Sequence, residues 1–239
     1  MTSTTSPAVF PKSIWAETAP SRTQTQPLQG PLEADTVIVG GGLSGLSAAL
    51  HLARRGQKAV LLEAMAVGWG ASGRNNGQVI PTMTAAEPDA IVQRYGEAGE
   101  RFARLIGNSA GVLFDLVREE GMAAEAGQAG WFQPAHSPGR MRLSKMRVDA
   151  WQRFGFPARL LDRDECRTLL GSEFWYGGMF NPTGGHVNPL ALARGFAAAA
   201  EKHGAIIHEG SPATGWRREA GGWVVTTAAG SVKAKNFLL

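Results

Sequence analysis

Residues 35–45 read DTVIVGGGLSG, and their order decides the fold. An apolar run, Val37–Val39, gives way to glycines at 40, 42 and 45 as a helical pattern starts at Leu43. In this GxGxxG spacing each glycine has its own mechanical task. Gly40 allows the tight turn out of a first strand, and Gly42 lets the backbone approach a pyrophosphate. Gly45 lets the following helix pack close to the sheet. The amides of Leu43, Ser44 and Gly45 open that helix, where the N-terminal dipole favours a phosphate. Leu46, Leu50 and Ala53 continue its apolar face as far as Gly56, a C-terminal cap. Lys58–Leu62 reads as a second strand. Glu63 follows it, 23 residues after Gly40, where an acid can accept hydrogen bonds from an adenosine ribose. Strand, turn, helix, strand and acid in this order predict a nucleotide site on a βαβ-type opening.

Outward from this core the texture varies. Residues 1–34 are rich in Ser, Thr, Pro and Gln, with Phe10, Ile14 and Trp15 as the only sizeable anchors. They read as a leader that is poorly ordered or drapes over the body. Gly68–Gln78, GWGASGRNNGQ, has four glycines and almost no apolar content, so it is mobile or wraps something polar. Phe102, Leu105, Ile106, Leu113, Leu116 and Val117 mark one face of a helix from about Gly99 to Glu120, ended by Gly121. From Gly127 short apolar pieces (Gly130–Gln133, Ala158–Leu161, Tyr176–Phe180) alternate with Arg-rich helical stretches near 140–154 and 163–170. This predicts an inserted domain mixing strands and helices.

Asn188 and Pro189 form an N-cap and first-turn pair for a helix closed by Gly204. Ala205–His208 is then the third strand. Trp216–Arg218, Trp223–Thr227 and Val232–Lys235 predict an antiparallel meander, and Asn236–Leu239 begins what reads as another buried strand. Because the sequence stops within that strand, the expected domain is C-terminally incomplete.

Composition narrows the function classes. With 239 residues and a 44% apolar fraction, the chain has material for a sizeable core. The net charge is +4, and the basic residues are scattered, so nothing suggests a nucleic-acid surface. Cys166 is the single cysteine, which leaves no intramolecular disulfide framework and no thiolate metal cluster. No apolar run approaches the ~18 residues of a membrane span. The first residues lack the charged start and apolar block of a secretion signal. A cytoplasmic location is the expectation.

The stretches GGGLSGLSAALHLARRG, LLEA and above all GWGASGRNNGQ resemble the FAD-dependent amine oxidases of the D-amino-acid oxidase superfamily, nearest the gamma-glutamylputrescine oxidase-like group. GGHVNPLALARGFAAAAEKHGA, the meander after it and the leader share the likeness, which covers nearly the whole chain. The resemblance implies an α/β fold: an FAD-binding Rossmann-like domain of glutathione-reductase type with an inserted α+β substrate domain. On this chain the expected parts are a leader over 1–34, a discontinuous FAD domain over 35–126 and 186–239, and a partial substrate domain over 127–185.

The resemblance also implies roles for particular residues. Gly40, Gly42, Leu43, Ser44 and Gly45 would surround the FAD pyrophosphate. Glu63, with Ala64 beside it, would hold the adenosine ribose. The loop of Ser72, Gly73, Arg74, Asn76, Gly77 and Gln78 would run past the pyrophosphate and ribityl chain, with Arg74 offsetting phosphate charge. Ala213 would meet the adenine through its backbone. Relatives commonly show RNGGQ where this chain has Arg74-Asn75-Asn76-Gly77-Gln78, a departure that Asn76 accommodates if it adopts a positive φ.

The implied activity is oxidation of a small amine or amino acid by hydride transfer to flavin, with oxygen or another acceptor taking the electrons. No second GxGxxG marks a nicotinamide site. Neither His136 nor His186 has a discernible acid partner, and the spacing of His136, His186, His203 and His208 fits no compact metal signature. Trp69 and Trp131 fit core packing better than the lining of a cofactor cavity. No catalytic residue stands out. Two readings remain open: an FAD-dependent amine oxidase, or a truncated flavin-binding fragment that needs the missing half or a partner chain.

Overall fold

In the computed structural model, which describes residues 10–83 and 86–239, the strand expected from Asp35 already begins at Gly30. The chain order is α1 (Ile14–Thr18), β1 (Gly30–Val39), α2 (Leu43–Ala53), β2 (Ala59–Leu62), β3 (Gln78–Val79) and α3 (Pro88–Glu120). Then come β4 (Trp131–Pro134), α4 (Pro138–Arg153), β5 (Arg159–Leu161), α5 (Arg163–Leu170), β6 (Gly178–Asn181) and β7 (Gly185–His186). The last are α6 (Pro189–Lys202), β8 (Ile206–His208), β9 (Gly215–Glu219), β10 (Gly222–Thr226) and β11 (Gly230–Leu238). These elements form two compact units. One comprises Met1–Asn76, Glu120–Glu125 and Asn188–Leu239; the other comprises Gly77–Glu119 and Ala126–Val187.

The first unit is built on a six-stranded sheet of order β8-β2-β1-β11-β10-β9. β8, β2, β1 and β11 are parallel, and β10 and β9 add an antiparallel edge. One face buries Val37, Val60, Leu62, Val225 and Val232 together with Leu28 from the segment before β1. That packing explains the early start of β1: Leu32 and Ala34 lie against the same cluster, and Gly30 pairs with Gly230. α2 packs on β1, β2 and α6. α6 starts where Asn188 and Pro189 predict, and the Asn188 side chain accepts from the amides of Leu190 and Ala191 at 3.0 Å each.

The two pieces expected at 232–235 and 236–239 are one strand, β11, shared between an antiparallel partner, β10, and a parallel partner, β1. Val232 and Ala234 point inward, while Lys233 and Lys235 face solvent. The buried strand expected from Asn236 is not buried: Leu238 is 41% and Leu239 74% exposed.

Also within this unit, the buried carboxylate of Glu120 joins three helix ends. It meets His203 Nε2 at 3.0 Å, Lys202 Nζ at 3.5 Å and Arg54 Nη1 at 3.7 Å. Burial pushes its pKa up, but the His203 hydrogen bond and the charges of His203 and Lys202 outweigh that, leaving it below the ordinary glutamate value. A carboxylate depressed in the folded state adds stability above its unfolded pKa, and that stability is lost as pH falls through the folded value. Glu120→Gln is therefore expected to lower the urea midpoint at pH 7 and to flatten its decline between about pH 5 and 3. Urea titrations at several pH values check this.

In the second unit the Arg-rich helices and short strands appear where the sequence places them. β4, β6 and β5 form an antiparallel sheet, and β3 pairs with β7. Trp151 is fully buried among Val148, Ala158 and Met179, with Phe156 edge-on at 5.6 Å. The expected face of α3 is partly wrong. Phe102 and Leu105 are exposed, whereas Gly99, Ala103, Gly107, Ala110 and Phe114 are buried. The reason is close packing: a Cβ on Gly107 would lie 2.2 Å from Phe156 Cζ, so the inward face is made of small residues. α3 also begins earlier than expected, at Pro88, and kinks at Gly96, whose φ is +56°. Among the described residues no helix is long and apolar enough to cross a membrane.

Candidate functional site

Parallel pairing brings the carboxyl ends of four strands to one edge of the first unit's sheet. Val39 pairs with Leu62, Leu62 with His208, and Ile38 with Leu238. That edge is where ligands bind in open α/β sheets. β1 leaves it through Gly40, whose φ of +108° suits glycine alone and whose amide donates to Leu62 O at 2.8 Å. The next amide, Gly41, donates to Glu63 Oε2 at 2.6 Å, and Met65 donates to Oε1 at 2.8 Å. These bonds fix the carboxylate of Glu63 against the turn and leave each oxygen with further lone pairs for sugar hydroxyls.

α2 starts at Leu43 with Gly42 as an N-cap that has no side chain to cap it, and its first turn carries no acid. Its leading amides lack intrahelical acceptors, and the dipole there favours an anion. Leu43 N donates to Ser72 Oγ at 3.0 Å, tying the glycine-rich loop to the helix start. Gly45 sits so close to the turn that a Cβ would lie 2.1 Å from Gly40 O. A cavity of about 250 Å³ opens here, lined by Gly40, Gly42, Leu43, Ser44, Gly45 and Ser72 together with Leu238 and Leu239.

The remaining expected residues surround this cradle or lie elsewhere. Gly73 is buried in a short 3-10 turn, Ala71–Gly73. Arg74 and Asn76 are exposed, as is Ala64 after β2. The Arg74 guanidinium lies 4.7 Å over the Trp69 ring, and its Nε donates to Gly70 O at 3.2 Å. Trp69 is thus a platform for a cation, a role the sequence reading did not foresee. Ala213 follows β8 and packs on the sheet core. Gly77 and Gln78 belong to the second unit, where Gln78 Oε1 accepts from the Trp131 indole at 3.0 Å.

Sequence reasoning also missed Gly41, an unspecified position of the motif, and the two leucines on the cavity wall. His136 is exposed, and no cluster of His, Cys, Asp or Glu suited to a metal occurs among the described residues.

Comparison with known proteins agrees with this geometry. Residues 35–239 match the family described as DAO, FAD dependent oxidoreductase. The chain is 31% identical over 236 residues to a probable oxidoreductase OrdL of Rhizobium meliloti, covering 97% of this chain and 54% of that protein. It is 31% identical over 229 residues to gamma-glutamylputrescine oxidoreductase of Escherichia coli, covering 95% and 53%. Its fold superposes on glycine oxidase from Geobacillus kaustophilus with a TM-score of 0.74 at 23% identity, over 86% of this chain and 54% of that one. For L-amino acid deaminase from Proteus myxofaciens the TM-score is 0.77 at 21% identity, over 92% and 48%. The chain therefore spans about half the length of these relatives. The family's cofactor is FAD, and the open glycine cradle, the uncapped helix start and the anchored Glu63 fit it. With the fold, the cradle and the match over residues 35–239 in agreement, this chain belongs to the FAD dependent oxidoreductase family.

Proposed function

We propose that the protein oxidises the C–N bond of a small amine or amino acid, using FAD held at the β1–α2 turn. The match of residues 35–239 to the FAD dependent oxidoreductase family carries this reading, and the 250 Å³ cradle supports it. Bound FAD supplies an acceptor for the hydride leaving the carbon next to nitrogen; the resulting imine is hydrolysed, and the electrons pass to oxygen or another acceptor. The residues of this chain bind and orient. The free amides of Ser44 and Gly45 meet the pyrophosphate, Leu43, whose N–H is held by Ser72 Oγ, lies beside it, and Glu63 accepts from the ribose. Arg74 offsets phosphate charge once it leaves the Trp69 face, and Ala213 meets the adenine through its backbone.

A cytoplasmic setting is part of this reading, in accord with a single cysteine, Cys166, that leaves no intramolecular disulfide. The test is anaerobic mixing of flavin-loaded protein with a panel of small primary and secondary amines and amino acids. Bleaching near 450 nm by one of them, followed by return of colour on adding oxygen or an artificial acceptor, is expected. Bleaching by NADPH and by no amine would overturn the proposal. Bound flavin that nothing reduces would favour the other reading, a flavin-binding portion that needs a partner chain.

A further inference from the structure

The segment before β1 is more than a cover for the body. α1 is held at one end by Asn188, whose Nδ2 donates to Thr18 Oγ1 at 2.9 Å and to Trp15 O at 3.4 Å. This is the same side chain that caps α6. On its other side the Trp15 indole Nε1 donates to Asn75 O at 3.0 Å, across 60 residues of sequence. Asn75 in turn closes its loop, donating from Nδ2 to Ser72 O at 3.0 Å. Ser72 Oγ accepts from Leu43 N at the mouth of the cradle. An unbroken hydrogen-bonded path thus runs from the helix cap at Asn188, through Trp15, to the first amide of α2.

We infer that Trp15 is a positioning residue for the cofactor: the leader braces the Ser72–Asn76 loop in the conformation that receives the pyrophosphate. This rests on reading the cradle as the FAD site and adds a contribution from a segment that does not line it. The loop's ties from Ser72, Arg74 and Asn75 to Leu43, Gly70 and Ser72 reach only residues 43–72. A donor from the leader at Asn75 adds a restraint from outside that region and narrows the loop's ensemble before the ligand arrives. The coupling is reciprocal. If α1 docking favours FAD, FAD must favour α1 docking by the same factor.

The test is FAD titration of the whole protein, followed by flavin fluorescence, for wild type, Trp15→Phe and Lys12→Ala. Hydrogen exchange over residues 14–18 is measured with and without FAD. Phe keeps the ring but loses the indole N–H, so Trp15→Phe should weaken FAD binding about two- to tenfold, the range set by one net hydrogen bond. Lys12, exposed on the same segment, should bind as wild type when changed to Ala. FAD should slow exchange in α1 of the wild type and do so less in Trp15→Phe. Equal affinity in Trp15→Phe and wild type, or exchange in α1 indifferent to FAD, would overturn the brace while leaving the flavin site standing. Wild type that takes up no FAD would overturn both.

Discussion

Gly45→Ala should release FAD. The added Cβ would lie 2.1 Å from Gly40 O and 3.3 Å from Ile38 Cγ2. The first of these neighbours is backbone at the turn that forms the cradle, so no side chain can swing away to relieve it. The clash eases only if α2 lifts off the β1–α2 turn, which moves the amides that face the pyrophosphate. Overpacking of this kind costs about 1–3 kcal/mol. Where the strain falls on the bound geometry, that corresponds to roughly five- to 150-fold weaker binding. Gly42→Ala is the informative contrast. Its Cβ would meet Ser72 Oγ at 2.9 Å, the far end of a small side chain that can rotate. It should cost less stability than Gly45→Ala while still weakening FAD by displacing the Ser72 partner of Leu43 N. Equilibrium dialysis with FAD and thermal unfolding of the two apo variants separate these effects.

Arg22→Ala should lower the unfolding temperature by about 6–20 °C. Arg22 reaches from the leader to Glu201 with two bonds of 2.8 Å, and its Nε lies 3.7 Å from Glu209 Oε2. The Glu209 side chain is 2% exposed. It accepts from Val67 N at 2.7 Å and Thr25 N at 2.9 Å, joining the leader to the segment after β2. Removing the guanidinium leaves the buried carboxylate with the amides of Thr25 and Val67 and only the more distant charge of Arg194. Breaking such a pair costs about 3–5 kcal/mol, and a domain of this size loses about 2–4 °C per kcal/mol. The double variant Arg22→Ala/Glu209→Gln removes the stranded charge and should recover part of the loss, giving a favourable coupling in the cycle. Additive losses would mean that the pair contributes nothing as a pair. The measurement is thermal unfolding followed by circular dichroism.

Much of this architecture was legible in the sequence for local reasons. Val37–Val39, the three spaced glycines and Glu63 specify a strand, a turn and an anchor through short-range sterics. Asn188-Pro189 and Gly204 bound a helix by capping chemistry, and the alternation after Gly127 announced the strands and helices of 131–181. The unit they belong to also takes in Gly77–Glu119, assigned from sequence to the FAD domain. The α/β fold followed from residues 35–63, and the resemblance of that stretch and of the loop at 68–78 to the amine oxidases implied the family and FAD. What escaped depends on partners distant in sequence. Periodicity assigned Phe102 and Leu105 to the inner face of α3, because nothing local shows that Phe156 needs the space at Gly107. The unity of β11 depends on two neighbours, β1 and β10, that claim it together. Whether the leader is poorly ordered or drapes over the body stayed open in the sequence, because Trp15, Arg22 and Thr25 find their partners at Asn75, Glu201 and Glu209. Polar residues carry no mark of such partners until the chain has folded.

The most direct test of the central claim, an FAD site at the β1–α2 turn, is an absorbance spectrum of the purified protein with FAD supplied throughout and unbound cofactor removed. The account predicts bands near about 370 and 450 nm, characteristic of the cofactor's own ring, at close to one flavin per chain, lost in Gly45→Ala. Folded, monodisperse protein that stays colourless under these conditions would contradict it, as would a flavin content unchanged by Gly45→Ala.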